Sequence, residues 1–118
     1  MFHFVSFPQP HTDQTRSMPA YIIVEAVLRD REKFSAYVSA VPPIVSKFGG
    51  EYVVVGGEQT PLEGDWGTSR IVMHRWPSVE QAMAFWNSDE YQAAKPLREG
   101  CGDFRVILVD GVQQKPLE

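Results

Sequence analysis

A single cysteine, Cys101, stands in 118 residues, which excludes an internal disulfide and any metal centre built from cysteines alone. A reducing cytoplasm is the expected setting. Histidine is nearly as scarce: His3, His11 and His74 have no metal-ligand spacing, so no metal is expected. No hydrophobic run approaches the roughly 20 residues that cross a bilayer, and the first seventeen residues lack the basic and apolar regions of a secretory signal. No membrane association is expected. Basic charge is thin as well. Eleven Lys and Arg against fifteen Asp and Glu give a net charge of −4, and the basic residues are scattered, which argues against nucleic acid as a partner. A Gly-rich phosphate loop is missing, since Gly49-Gly50 and Gly56-Gly57 read as a helix stop and a strand end, and no cofactor is expected.

What the chain does have is apolar residues in two periods. Ala20 to Val27 reads as a first strand, apolar on both faces except at Glu25. Asp30 is a plausible N-cap for a helix carrying Phe34, Tyr37, Val38, Val41, Ile44, Val45 and Phe48 at spacings of three and four. Pro42-Pro43 is expected to kink that helix or split it in two, and Gly49-Gly50 to stop it. Glu51 to Val55 is a second strand, followed by a long loop over residues 58–68 that displays Glu63, Asp65 and Trp66. Arg70 to Trp76 is a third strand. Ser78 and Gln81 form a capping box before a second helix. Asn87-Ser88-Asp89 breaks that helix and starts another piece, in which Tyr91, Ala94 and Leu97 share one face. Phe104 to Val109 is a final strand.

The order β-α-β-β-α-β predicts an α+β, ferredoxin-like fold, a four-stranded antiparallel sheet with the helices on one face. The first and last strands are apolar in both phases, so the uncovered face is expected to pair with a second copy of the chain in a homodimer. Residues 1–17 read as an N-terminal extension, 18–112 as the domain and 113–118 as a C-terminal tail.

The run Asn87-Ser88-Asp89-Glu90-Tyr91-Gln92-Ala93-Ala94-Lys95-Pro96-Leu97-Arg98 resembles the hallmark of the DUF1330 family. Supporting matches are Gly49-Gly50, Gly56-Gly57, Glu63-Gly64, Trp66, Arg70 and Trp76-Pro77-Ser78, and the resemblance covers about Ala20 to Gly111. It implies a dimeric α+β barrel from a mostly bacterial family whose biochemical role is unassigned. Departures are Val55 where the family often has Arg, Arg75 where it often has Glu, and Asp89 and Pro96 within the hallmark.

Several residues could carry chemistry. Arg70 and His74 share one phase of the third strand, where an imidazole beside a cation could bind a carboxylate or enolate and move a proton. The plainer alternative is a place at a sheet edge or in the dimer seam. Arg75, on the other phase, is expected to pair with Glu25 or another carboxylate. Trp86, Asn87 and Tyr91 meet at the helix break and could orient a planar ligand, or serve as a cap beside two core aromatics. Glu63, Asp65 and Trp66 could form a lid, or a solvated loop tip. Cys101, between two glycines, could be exposed but unactivated. His74 and Tyr91 are therefore the catalytic candidates, and Arg70, Trp86, Asn87, Glu63 and Trp66 the ligand-binding ones. The expected function is binding of a small organic molecule in a cleft between sheet and helices, with cofactor-independent catalysis as an extension of it. A non-catalytic dimerisation or regulatory module is the alternative.

Overall fold

A computed structural model describes residues 18–112. The expectations for residues 1–17 and 113–118, with His3 and His11, lie outside the described residues. The elements run β1 (Ala20–Leu28), α1 (Arg31–Lys47), β2 (Glu51–Val55), β3 (Arg70–Trp76), α2 (Val79–Trp86), α3 (Asp89–Ala94), a 3-10 turn (Lys95–Arg98) and β4 (Gly102–Asp110). The strands form one antiparallel sheet in the order β2-β3-β1-β4, the split arrangement that the element order predicts.

Local chemistry sets each boundary. Asp30 caps α1 by accepting the Lys33 backbone N–H at 2.9 Å. At the other end Gly50 N–H donates to the Val45 carbonyl at 2.9 Å and Gly49 N–H to that of Ser46 at 3.1 Å, with Gly49 at φ 94°. This is a Schellman stop, which requires a left-handed residue at Gly49. Gly50 is needed for space instead, because a Cβ there would lie 2.6 Å from the Trp76 ring. Ser78 accepts the Gln81 N–H at 3.0 Å, but the Gln81 amide does not complete a reciprocal box. It donates to the Phe48 carbonyl at 2.9 Å and so ties the end of α1 to the start of α2. Ser88 caps α3 by accepting the Tyr91 N–H at 3.0 Å.

Three local expectations are corrected. The split expected as one outcome at Pro42-Pro43 does not occur, and α1 runs as one helix from Arg31 to Lys47. Both prolines are exposed, and so are Val38 and Ser39, whose carbonyls would have met the missing donors, so water can satisfy them. Leu97 is 38% exposed and does not continue the face of Tyr91 and Ala94. From Lys95 the helix tightens to a 3-10 turn, which rotates successive side chains further than an α-helix does. Cys101 is fully buried, its Sγ directed at the carbonyls of Leu97 and Glu99 at 3.7 and 3.9 Å.

The core lies between the sheet and the helices. Ala20 and Ile22 of β1, Val41 and Val45 of α1, Trp76 of β3, Ala82 and Phe85 of α2, and Tyr91 and Ala94 of α3 are all buried. Strand alternation then assigns the other phase to the outer face, where the register sets Ile23 opposite both Met73 and Ile107. Ile107 is 59% exposed there. Ion pairs Glu25–Arg105 and Glu51–Arg75 flank this apolar row. Arg75 thus takes Glu51, the alternative to Glu25 that the sequence left open.

Candidate functional site

Between α1 and the sheet lies a cavity of about 210 Å³. It sits at the end where β1 finishes and where β3 and β4 begin. Strand alternation turns Val24, Ala26 and Leu28 of β1, Val72 of β3, and Phe104 and Val106 of β4 toward it. Three cationic side chains line it as well: Arg31 from the first turn of α1, Arg70 from the start of β3 and Arg98 from the 3-10 turn. No Asp or Glu lines it among the described residues.

His74 is the deepest polar group, 6% exposed. It lies opposite Tyr52 in the β2–β3 register, and the two rings meet edge to face at 4.7 Å. Phe85 and Trp76 approach the imidazole at 6.0 and 5.9 Å. Burial among these rings pushes its pKa down to about 4, so the ring is neutral at pH 7. Its Nδ1 is buried without a hydrogen-bond partner, an uncommon state for a polar atom in a folded protein. Burial, and secondarily the neighbouring Tyr91, pushes Tyr52 up to about 12. Tyr37 is raised further still. Burial is the largest cause, Tyr91 adds to it, and Arg98 opposes it. The Tyr37 and Tyr91 hydroxyls are 2.8 Å apart. All of the shifted groups in this wall are uncharged at neutral pH.

Two of the arginines, Arg70 and Arg98, are held in defined poses. Arg70 donates to the Gly56 carbonyl, across the end of the β2–β3 hairpin. The Arg98 guanidinium carbon lies 4.9 Å from the Phe104 ring centre and 5.8 Å from that of Tyr37, a cation–π arrangement. Its Nε is buried without a hydrogen-bond partner.

The candidate residues named from sequence fall into separate places. Arg70 and His74 line the cleft together. Tyr91 is 2% exposed and stands behind the cleft wall, joined to it through the Tyr37 hydroxyl. Trp86 packs on Tyr91 at 5.0 Å and under the Lys95 ammonium at 4.9 Å, beside a separate depression lined by Met83 and Leu108. Asn87 is exposed and closes α2, its backbone N–H donating to the Met83 carbonyl at 2.9 Å. Glu63 and Trp66 belong to the β2–β3 loop, where the Trp66 indole donates to the Glu63 carbonyl at 2.9 Å. Trp66 shares a depression with Ile23, Glu25 and Ile107 on the outer face, away from the cleft. Gln59 anchors this loop as a surrogate strand residue, donating to the Ser69 carbonyl and accepting from the Ile71 N–H, each at 3.0 Å.

Arg31, Tyr37, Tyr52 and Arg98 enter the cleft without having been singled out from sequence. Tyr52 could have been found by pairing the hairpin, since it faces His74. Arg98 could not, because its position depends on the tightened turn before it. Among the described residues no group of three His, Cys, Asp or Glu side chains could hold a metal ion, and no helix is long and apolar enough to cross a membrane.

Comparison with known proteins agrees with this architecture. A protein of unknown function from Rhodopseudomonas palustris has 20% identity and a TM-score of 0.68, over 84% of this chain and 86% of that one. A candidate antibiotic biosynthesis monooxygenase from Nitrosomonas europaea has 12% identity and a TM-score of 0.56, over 82% and 93%. A dimeric protein of unknown function with a ferredoxin-like fold, from Bacteroides fragilis, has 16% identity and a TM-score of 0.54, over 79% and 96%. At such identities the likeness is one of fold. No curated protein matches the sequence. The family model described as a domain of unknown function, DUF1330, matches residues 19–112, nearly the whole described chain, and the protein belongs to that family.

Proposed function

We propose that the protein is a homodimer that binds a small organic molecule in the cleft between α1 and the sheet. The observation that carries this reading is His74, a buried, neutral imidazole with an unpartnered nitrogen in the wall of an apolar cavity. A polar atom buried this way costs stability unless something meets it, and because the His74 ring lines the cleft, a ligand group that displaces the neighbouring rings slightly is its natural partner. Catalysis without a cofactor is the activity to seek there, because a neutral imidazole can accept a proton. The cavity of about 210 Å³ is smaller than the roughly 300 Å³ of a drug-sized site, which restricts the ligand to a compact molecule. A cytoplasmic setting suits the lone thiol.

The test is a thermal-shift screen of the full chain against compact metabolites of mixed charge. A ligand at a hundred times its Kd adds about 2.7 kcal/mol, and the expected hit is lost in His74→Ala and Tyr52→Leu. Hits that persist in both variants place binding elsewhere and sink the cleft reading. The apolar row Ile23, Met73 and Ile107, of which Ile107 is 59% exposed, supports a second reading, a dimerisation or regulatory module without a ligand. A screen with no hits and an intact dimer favours it.

A further inference from the structure

We infer that the cleft takes an organic monoanion, a single apolar ring bearing one carboxylate. This inference rests on the ligand-binding reading above and adds the chemistry of the ligand. Six arginines fall among the described residues, and they divide cleanly. Arg29, Arg75 and Arg105, all outside the cleft, each pair with a carboxylate. Arg31, Arg70 and Arg98, all lining the cleft, pair with none. Protein surfaces usually interleave charges of both signs, and this chain is acidic overall, so three cations without an acid around one cavity are a local excess of positive charge.

The position of Arg31 sharpens the point. It occupies the first turn of α1, where the helix dipole disfavours a cation. Helix stability does not account for it, whereas attraction of an anion to the cavity does. The cavity walls are mostly apolar and so of low dielectric, which strengthens a charge interaction relative to water. Arg98 is already ordered between Phe104 and Tyr37, so little side-chain freedom remains to be lost when its guanidinium meets a carboxylate. The N–H groups on its terminal nitrogens are the donors for such a group. Arg70 spends one donor on Gly56 and retains others.

Size and lining define the rest of the ligand. An apolar cavity of about 150 Å³ holds benzene, so about 210 Å³ accommodates one ring with one small substituent. Val24, Val72 and Val106 offer the ring an aliphatic surface, and Tyr52 and His74 offer aromatic edges.

The experiment is isothermal titration of the full chain, at pH 7.5 and low salt, with benzoate, cyclohexanecarboxylate, benzamide and acetate. The ring carboxylates are expected to bind at least tenfold more tightly than either the neutral amide or the ringless anion, and to weaken as salt rises. Arg70→Gln is expected to lower their affinity tenfold or more, and Arg29→Gln to leave it unchanged. Since Arg98 packs on two rings and its loss could disturb folding, Arg98→Lys serves beside Arg98→Gln. It keeps the charge and is expected to recover part of the affinity. Equal binding of benzamide and benzoate, both lost in His74→Ala, overturns the anion inference and leaves the cleft reading standing. Carboxylate binding indifferent to both Arg70→Gln and Arg98→Gln overturns it too, as does no binding by any of the four probes. The mixed-charge screen decides the cleft reading separately.

Discussion

At the scale of single residues, His74 links the cleft to acid stability. Burial lowers its pKa from an ordinary 6.5 to about 4. The unfolded chain therefore takes up a proton at a pH where the native protein does not, so stability is full above pH 6.5 and is lost as pH falls toward 4. The difference is on the order of 3 kcal/mol. Thermal melts between pH 7 and 4.5 are expected to show a falling midpoint, and His74→Phe to flatten that slope. The window separates this effect from Glu25, Glu90 and Asp103, whose carboxyls are held below their usual values by Arg105, Lys47 and Arg29. Those groups lose their contribution only at lower pH. Gly50→Ala tests packing at a second point. A methyl group 2.6 Å from Trp76 is expected to cost about 1–3 kcal/mol by urea unfolding. The pairing of His74 with Arg70 was legible because strand side chains repeat every two residues. The other arginines of the cleft were not, since their approach depends on how a helix and a turn dock on the sheet.

At the scale of elements, helix ends were readable and helix interiors less so. Asp30, Ser78 and the run Asn87-Ser88-Asp89 announced three starts because a short polar side chain before an apolar stripe has a local chemical reason to be there. Ser88→Ala removes the cap on α3 and is expected to cost about 1 kcal/mol, with a lower denaturation midpoint as the readout. The uninterrupted course of α1 through Pro42-Pro43 was not readable. Its tolerance depends on which side of the helix meets water, which only docking decides. Pro43→Ala restores a donor on that wet side. Its expected gain is about 1–2 kcal/mol, less than the intrinsic penalty of about 3 kcal/mol, because proline also restricts the unfolded chain. A variant no more stable than the parent would show that solvent already compensates the missing bond. The tightening at Lys95–Arg98 escaped for a similar reason. Pro96 lacks the N–H that would have continued α3, and the turn it imposes moves Leu97 outward and brings Arg98 to the cleft.

At the scale of the whole molecule, the two faces of one sheet divide the work. The inner face packs the helices and lines the cleft, while the outer face leaves an apolar row across β3, β1 and β4. Two-sided apolar strands made this visible in advance, since a sheet covered on one side only would alternate with polar residues. Ile107→Glu, on a side chain that the monomer leaves 59% exposed, is expected to convert a dimer to a folded monomer. Light scattering coupled to size-exclusion chromatography reads the mass, and circular dichroism checks the fold. A monomeric parent protein at micromolar concentration would remove the dimer from the proposal. The three tryptophans fall into these same compartments. Trp76 is 1% exposed in the core, Trp86 is half-buried at the helix break and Trp66 is 49% exposed on the loop beside the outer face. The protein consequently carries its own optical reporters, and single-tryptophan variants would give three emission colours. Quenching by iodide should reach Trp66 first, while Trp76 should stay blue until the sheet itself comes apart.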